Sequence, residues 1–228
     1  MPPRARSNGS AGDPGAVRKD GAAAPPVARL AANQLRRMRR IVDAAVDLAE
    51  KGGFEAVRLR DVAERSDVAL GTLYKYFRSK EDILLFALNE EVERLESTLV
   101  SRPETSGSAR QRAVEFFRRS TRALSRRPQL ARAMVRAMAS GDADTVMKLA
   151  SLQLRIARLV TWTLRGEAPD LGAALDAPPG SATEQAVARV LMNVWFSSLV
   201  GWAAGLHAER IVTEHVRTAV DLVVATGS

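Results

Sequence analysis

Apolar side chains return at helical spacing along almost the whole chain. Ile41, Ala44, Ala45, Leu48 and Ala49 fall at i, i+3, i+4, i+7 and i+8, one face of a helix over about 31–51. Gly52 and Gly53 end it, because glycine accepts the left-handed backbone of a helix C-terminus. Val62 and Ala63 mark the inward side of a short helix at 59–66, with Arg60 and Arg65 outward. Asp67 sits in a turn, and a second short helix covers 70–76. Ser79 and Asp82 form a capping pattern for a long helix, which Ile83, Leu84, Ala87, Leu88, Val92 and Leu95 carry to about residue 100. Pro103 and a Thr-Ser-Gly-Ser stretch then interrupt. Further helices are expected at 108–125, 128–139, 143–165, 181–206 and 209–226, with Pro128 in a first turn and a Ser181–Glu184 capping pair. Residues 166–180 read as a loop. No strand-like alternation and no internal repeat appear. The expected class is all-α with about nine helices: an N-terminal three-helix head and a C-terminal helical domain.

The segment 190–206, VLMNVWFSSLVGWAAGL, carries no formal charge. It is short for a membrane span of about 20 residues and holds Asn193, Ser197 and Ser198, so it reads as a buried helix and no membrane partner is expected. The next helix has a stripe of Val212, His215, Val216, Ala219, Val220 and Val223. Two such apolar helices exceed what one small bundle can bury. A homodimer through 181–206 and 209–226 accounts for the surplus.

Charge changes the picture at one end only. Residues 1–40 hold a net +7 of the chain's +8, and the remainder is nearly neutral. Residues 1–28 are rich in Pro, Gly, Ala and charge, without periodicity, and are expected to be a disordered basic arm. Arg36, Arg37, Arg39 and Arg40 continue the charge into the first helix. The opening MPPRARSNGS has no apolar run, so a secretory signal is not expected and a cytoplasmic location is. There is no cysteine and only two histidines, His207 and His215. These exclude disulfides, thiolate chemistry and a histidine-rich metal site, and no cofactor, metal or catalytic residue is expected.

A basic arm beside two short helices joined by a tight turn is the pattern of a helix-turn-helix DNA reader: one helix braces and the next enters the major groove. The stretch GFEAVRLRDVAERSDVALGTLYKYFRSK, residues 53–80, resembles the signature of the TetR family of bacterial repressors. Gly53, Phe54, Val62, Ala63, Val68, Gly71, Thr72, Leu73, Tyr74, Tyr76, Phe77, Ser79 and Lys80 carry the match. Three positions depart from it: Arg58 and Ala69 stand where hydroxyl caps are usual, and Asp67 replaces a turn glycine. The resemblance implies a head over 29–80 and a ligand-binding and dimerisation domain over 81–228. It also implies a near-palindromic operator as partner. Residue types assign Gly71 to close backbone approach, and Thr72, Tyr74 and Tyr76 to hydroxyl contacts. Leu70 and Thr72 suit thymine methyls, Lys75 and Arg60 suit base acceptors, and Arg36, Arg40 and Lys80 suit phosphates. Phe54, Val57, Val62, Val68, Leu73 and Phe77 are the expected core of the head. Because Tyr74 and Tyr76 diverge by about 200° on a helix, one of them is free to face inward.

In the second domain Phe116, Phe117, Met134, Met138, Met147, Trp162, Trp195, Phe196 and Trp202 read first as core. An apolar ligand slot is the sharper reading, with Phe117, Met134, Met138, Trp162, Trp195 and Trp202 as candidates. The runs KGGFEAV, VALGTLYKYF, RRPQLARAMVRAM and NVWFSSLVGW are similar to KstR-type repressors of actinobacterial steroid catabolism. That similarity implies a lipid or steroid acyl-CoA ligand. The alternative within the family is a drug-efflux repressor responding to cationic or aromatic compounds. An enzyme lacks a convergent catalytic set here, and a nonspecific architectural DNA binder lacks a reason for the apolar second half.

Overall fold

The structure, a computed structural model, describes residues 26–103, 105–139, 143–170, 172 and 179–224. Among them are nine helices and no strand. They are α1 (Pro26–Ala56), α2 (Leu59–Arg65), α3 (Leu70–Tyr76), α4 (Lys80–Ser101), α5 (Ala109–Ser125), α6 (Pro128–Met138), α7 (Ala143–Arg165), α8 (Ala182–Ala203) and α9 (Glu209–Val223).

Two boundaries differ from the periodic reading. Helix α1 begins at Pro26, inside the segment read as a basic arm, and residues 1–25 lie outside the described residues. Helix α8 stops at Ala203 rather than 206. Gly205, at φ 81°, takes the left-handed position, with Gly205 N–H bonding Trp202 O and Leu206 N–H bonding Gly201 O. This is the Schellman closure, which satisfies carbonyls that the last turn would otherwise leave open. The same closure ends α7 at Gly166. Within α1 the break falls at Gly52 and Gly53, where φ/ψ turn non-helical, Gly53 at φ 68°.

The helix-turn-helix turn is a third Schellman closure, with Asp67 in place of glycine. Asp67 N–H bonds Glu64 O, Val68 N–H bonds Ala63 O, and Asp67 sits at φ 52°. Aspartate is among the few non-glycine residues that adopt this backbone readily. The missing caps are real. Neither Arg58 nor Ala69 offers a side-chain acceptor to its helix, whereas Ser79 accepts from Asp82 N–H and opens α4. Ser108 with Gln111 and Ser181 with Glu184 form complete reciprocal capping boxes at α5 and α8.

The head is α1–α3 closed by the start of α4. Its centre is Ile41, Ala45, Val57, Val62, Leu73 and Phe77, all buried, with Phe54 and Val68 half-buried around them. Helix α1 packs on α6 as well as on α2 and α4, so the head rests directly on the body. In the body, α8 packs on α6, α7 and α9, burying Leu191, Trp195, Leu199 and Trp202. Among the described residues α8 is the one helix that could cross a membrane by length and composition; 44% of its apolar window is buried inside the fold, so it is partly rather than wholly enclosed. Met147, read from the sequence as core, is instead 73% exposed on the outer face of α7.

Cap chemistry sets local stability in a testable way. Arg58 already has extended backbone, as an N-cap requires. Arg58→Ser should add a missing hydrogen bond and stabilise the head by about 1 kcal/mol, and Ser79→Ala should cost about the same. Urea unfolding of both variants reads the two signs; a destabilised Arg58→Ser would refute the cap account.

Candidate nucleic-acid interface and ligand cavity

Helix α3 buries Leu73 and Phe77 and turns the opposite face outward. Gly71, Tyr74 and Lys75 lie there at i, i+3 and i+4, all exposed, Tyr74 by 52%; Arg78, also exposed, follows the extended Phe77 beyond the helix. Thr72, Leu70 and Tyr76 flank this face half-buried; Tyr76 is the tyrosine that packs on the core. A Cβ added at Gly71 would meet nothing within 4 Å. Its missing side chain therefore serves no packing need inside the protein. Arg36, Arg40 and Arg60 are exposed. Arg40 reaches Asp67 at 3.7 Å, and Arg36 bonds Asn33 in its own helix. Arg65 bonds Asp47 at 2.9 Å and braces α2 on α1.

Lys80 is placed differently from the other cations. Its Nζ lies 3.3 Å from Phe54 O, 3.5 Å from Glu55 Oε2 and 3.8 Å from the centre of the Phe54 ring. Arg136 of α6 joins the same cluster, 2.8 Å from Glu55 and over the same ring. One turn away Arg127 pairs with Glu50 of α1. Three cations from α4 and α6 thus hold the C-terminal end of α1.

Helix α4 is fastened to α7 by a second set. Asp82, whose side chain is 7% exposed, accepts from Arg78 N–H at 3.2 Å and pairs with Lys148. Arg155 makes a forked contact to buried Glu96 and donates to Asn89 Oδ1 at 2.6 Å. The Glu96 hydrogen bonds raise the pKa of Arg155, against the opposing effect of burial. Glu93 on the same helix is exposed, whereas Glu96 is buried, and only a partner 59 residues away makes that burial tolerable.

Between α4, α5, α6, α7 and α8 lies a cavity of about 590 Å³. Its apolar wall includes Leu88, Val92, Leu99, Phe116, Leu130 and Ile156. Of the six ligand candidates read from sequence, Met134, Met138 and Trp195 line it. Phe117, Trp162 and Trp202 do not. Phe117 is fully buried beside Trp195, Trp162 lies under Arg158, and Trp202 lies under Arg132. Size and apolarity mark all six as inward, but the bundle has two interiors, a packed core and a slot. Only the crossing of five helices tells them apart. The exposed margin carries Arg94, Arg102, Arg119, Arg126 and Arg127 against Glu91. Arg94 pairs with Glu91, and Arg119 with Glu115. Hydrogen bonds from Arg118 and then Arg119 hold the Glu115 pKa down to about 2. Among the described residues no carboxylate pairs with Arg102 or Arg126.

His207 and His215 stack edge to face at 5.6 Å across the α8–α9 turn, and His215 Nδ1 lies 2.9 Å from Ser198 Oγ. Among the described residues no group of three or more metal-ligating side chains forms.

Residues 41–86 match the profile of bacterial regulatory proteins, tetR family, and residues 107–223 match the tetracyclin repressor-like C-terminal domain. The HTH-type transcriptional repressor KstR of Rhodococcus jostii is 36% identical over 195 residues, 86% of each chain. Among solved structures, a TetR transcriptional regulator from Rhodococcus sp. RHA1 superposes with a TM-score of 0.71 at 22% identity, over 86% of this chain and all of that one. Thermus thermophilus FadR, solved with lauroyl-CoA, superposes with a TM-score of 0.62 at 19% identity, over 84% and 95%. With its helix-turn-helix head and its C-terminal bundle both matched, this chain belongs to the tetR family of bacterial regulatory proteins.

Proposed function

We propose that the protein is a ligand-responsive transcriptional repressor. It binds a near-palindromic operator as a homodimer and is released by an apolar ligand with an anionic end, of the acyl-CoA class. The observation that carries the ligand reading is the apolar cavity with five arginines at its exposed margin. An acyl or steroid body suits the wall, and phosphates suit Arg102 and Arg126. The same margin disfavours a cationic drug, since five cations outnumber one carboxylate. The FadR of like fold was solved with an acyl-CoA, and the runs shared with steroid-catabolism repressors point to the same class.

DNA reading falls to the outward face of α3: Gly71 for close approach, Tyr74 and Lys75 for contacts, Thr72 and Leu70 at its edge. Arg36, Arg40 and Arg60 supply phosphate contacts. Dimerisation falls to α8 and α9, where Val190, Leu222 and, in the turn between the two helices, Leu206 remain exposed on one chain. A dimer sets its two heads about one DNA turn apart, roughly 34–36 Å. Arg127 provides the link between sites, because it lines the cavity and also pairs with Glu50 of the head. A ligand anion that takes Arg127 weakens the seat of α1 on α6.

Three measurements test this. Fluorescence anisotropy on the protein's own upstream DNA, at fixed near-physiological salt, should show binding that scrambled competitor does not remove. Stearoyl-CoA or a steroid acyl-CoA should release it; release by cationic drugs alone would overturn the ligand class. Gly71→Ala should fold at least as well, since alanine gains up to about 1 kcal/mol in a helix, yet lose roughly tenfold or more in operator affinity, about 1.4 kcal/mol. Unchanged affinity would remove Gly71 from the interface. Glu50→Gln breaks a partly exposed pair worth about 0.5–1 kcal/mol. It should weaken operator binding by a factor of a few and shrink the further loss caused by acyl-CoA. A full ligand response in that variant would rule out Arg127 as the link.

A further inference from the structure

Helix α1 begins well before the head does. The buried core starts at Ile41 and Val42, and the family profile also starts at residue 41, yet α1 runs from Pro26. Residues 26–40 thus extend the helix by roughly 22 Å ahead of the part that packs. From residue 32 to residue 40 only Ala32 and Met38 are half-buried, and the rest are exposed, Leu35 by 56%.

The extension is also charged in one sense. It carries Arg29, Arg36, Arg37, Arg39 and Arg40, and the first acid of the helix is Asp43. No acid stands in the first turn to offset the helix dipole. Arg36 lies at i+3 and i+4 from Arg39 and Arg40, and Arg37 at i+3 from Arg40, spacings at which like charges destabilise a helix. The four arginines from Arg36 to Arg40 span an arc of about 160°, on the side away from buried Ile41, Val42 and Ala45. Arg40 reaches Asp67 in the helix-turn-helix turn at 3.7 Å, and Arg36 bonds Asn33. Among the described residues Arg37 and Arg39 have no ion-pair or hydrogen-bond partner. A helix that neither packs nor balances its charge has little to order it within the chain. A row of fixed anions supplies what is missing, and the Arg40–Asp67 contact sets this basic arc beside the turn that presents α3.

We infer that the extension of α1 is a second DNA contact, a sequence-independent clamp on the phosphates that flank the operator half-site, with Arg37 and Arg39 as its own contacts. This rests on the operator-binding reading and adds to it a surface that precedes the family's reading head. Phosphate contacts carry no sequence information, but they fix register and raise affinity by releasing counterions. Bound phosphates also relieve the repulsion among the arginines, so the contact steadies the helix that makes it. At 3.4 Å per nucleotide of one strand, the extension can follow no more than roughly six phosphates.

The test uses the full chain and two duplexes of its upstream operator. One ends at the limits of the palindrome, and the other carries about ten further base pairs on each side, more than the extension can reach. Fluorescence anisotropy at fixed near-physiological salt should show the longer duplex bound about tenfold more tightly. The double variant Arg37→Gln, Arg39→Gln should bind the short duplex as wild type does and lose that advantage. On the long duplex its log–log salt slope should fall by about 1 for each arginine removed. Hydroxyl-radical footprinting should show backbone protected beyond the half-sites by wild type and left open by the variant. Equal wild-type affinity for the two duplexes, equal weakening of both by the double variant, or a length advantage that the variant keeps in full overturns the clamp while leaving the repressor reading in place. Binding of neither duplex above a scrambled one overturns both.

Discussion

The seat of α1 on α6 is the constraint on which the rest depends. The long first helix breaks at Gly52 and Gly53, and cations from α4 and α6 hold the residues on either side of the break. Arg136 and Lys80 converge on Phe54 and Glu55, and Arg127 holds Glu50. Gly53 sits close enough to α6 that an added Cβ would stand 3.4 Å from Gln129 Oε1. The seam sets where the head sits on the body, because α2 packs on α1 and on α3, and Phe77 at the end of α3 packs on Phe86 of α4. Individually these half-exposed pairs contribute little. Their value lies in geometry, since a planar guanidinium over a ring and beside a carboxylate has few other arrangements.

That weakness suits a switch. A ligand moves an equilibrium only by its differential affinity for the two states, and a shift from mostly bound to mostly released needs a few kcal/mol. A seam of strong buried pairs would resist such a ligand. The α4–α7 contacts are of the stronger kind, with Glu96 and Asp82 buried against Arg155 and Lys148. Helix α4 is thus joined to both sides, to α7 through these pairs and to the head through its packing on α1, the buried Ile83 and Leu84, and Lys80.

Much of this was legible in the sequence because helices are local objects. Caps, glycines and a 3.6-residue period placed all nine, and the spacing from Gly53 to Lys80 identified the head. What stayed hidden depends on neighbours remote in sequence. Glu96 looked like one more acidic residue until Arg155 was placed against it. Trp162 and Trp202 looked like cavity residues because size and apolarity report inwardness and not which interior. Met147 shows the converse: a large apolar side chain in a helix need not face in.

The head's departures from its family pattern acquire meaning in this setting. Two uncapped helices and an aspartate in a left-handed turn leave α2 and α3 with little stability of their own. A seven-residue helix is far below the length that persists alone in water. Its order comes from Leu73 and Phe77, buried against the head's core, with Phe77 edge-on to Phe86 of α4 at 5.7 Å. The reading helix is therefore ordered by the helix that walls the cavity, and the α1 on which it rests is seated on another of that cavity's walls. In such an arrangement local weakness is not a defect. It makes the conformation of α3 answerable to the packing of α4 and α6, and a ligand that repacks those two helices reaches the DNA-reading face without any contact of its own.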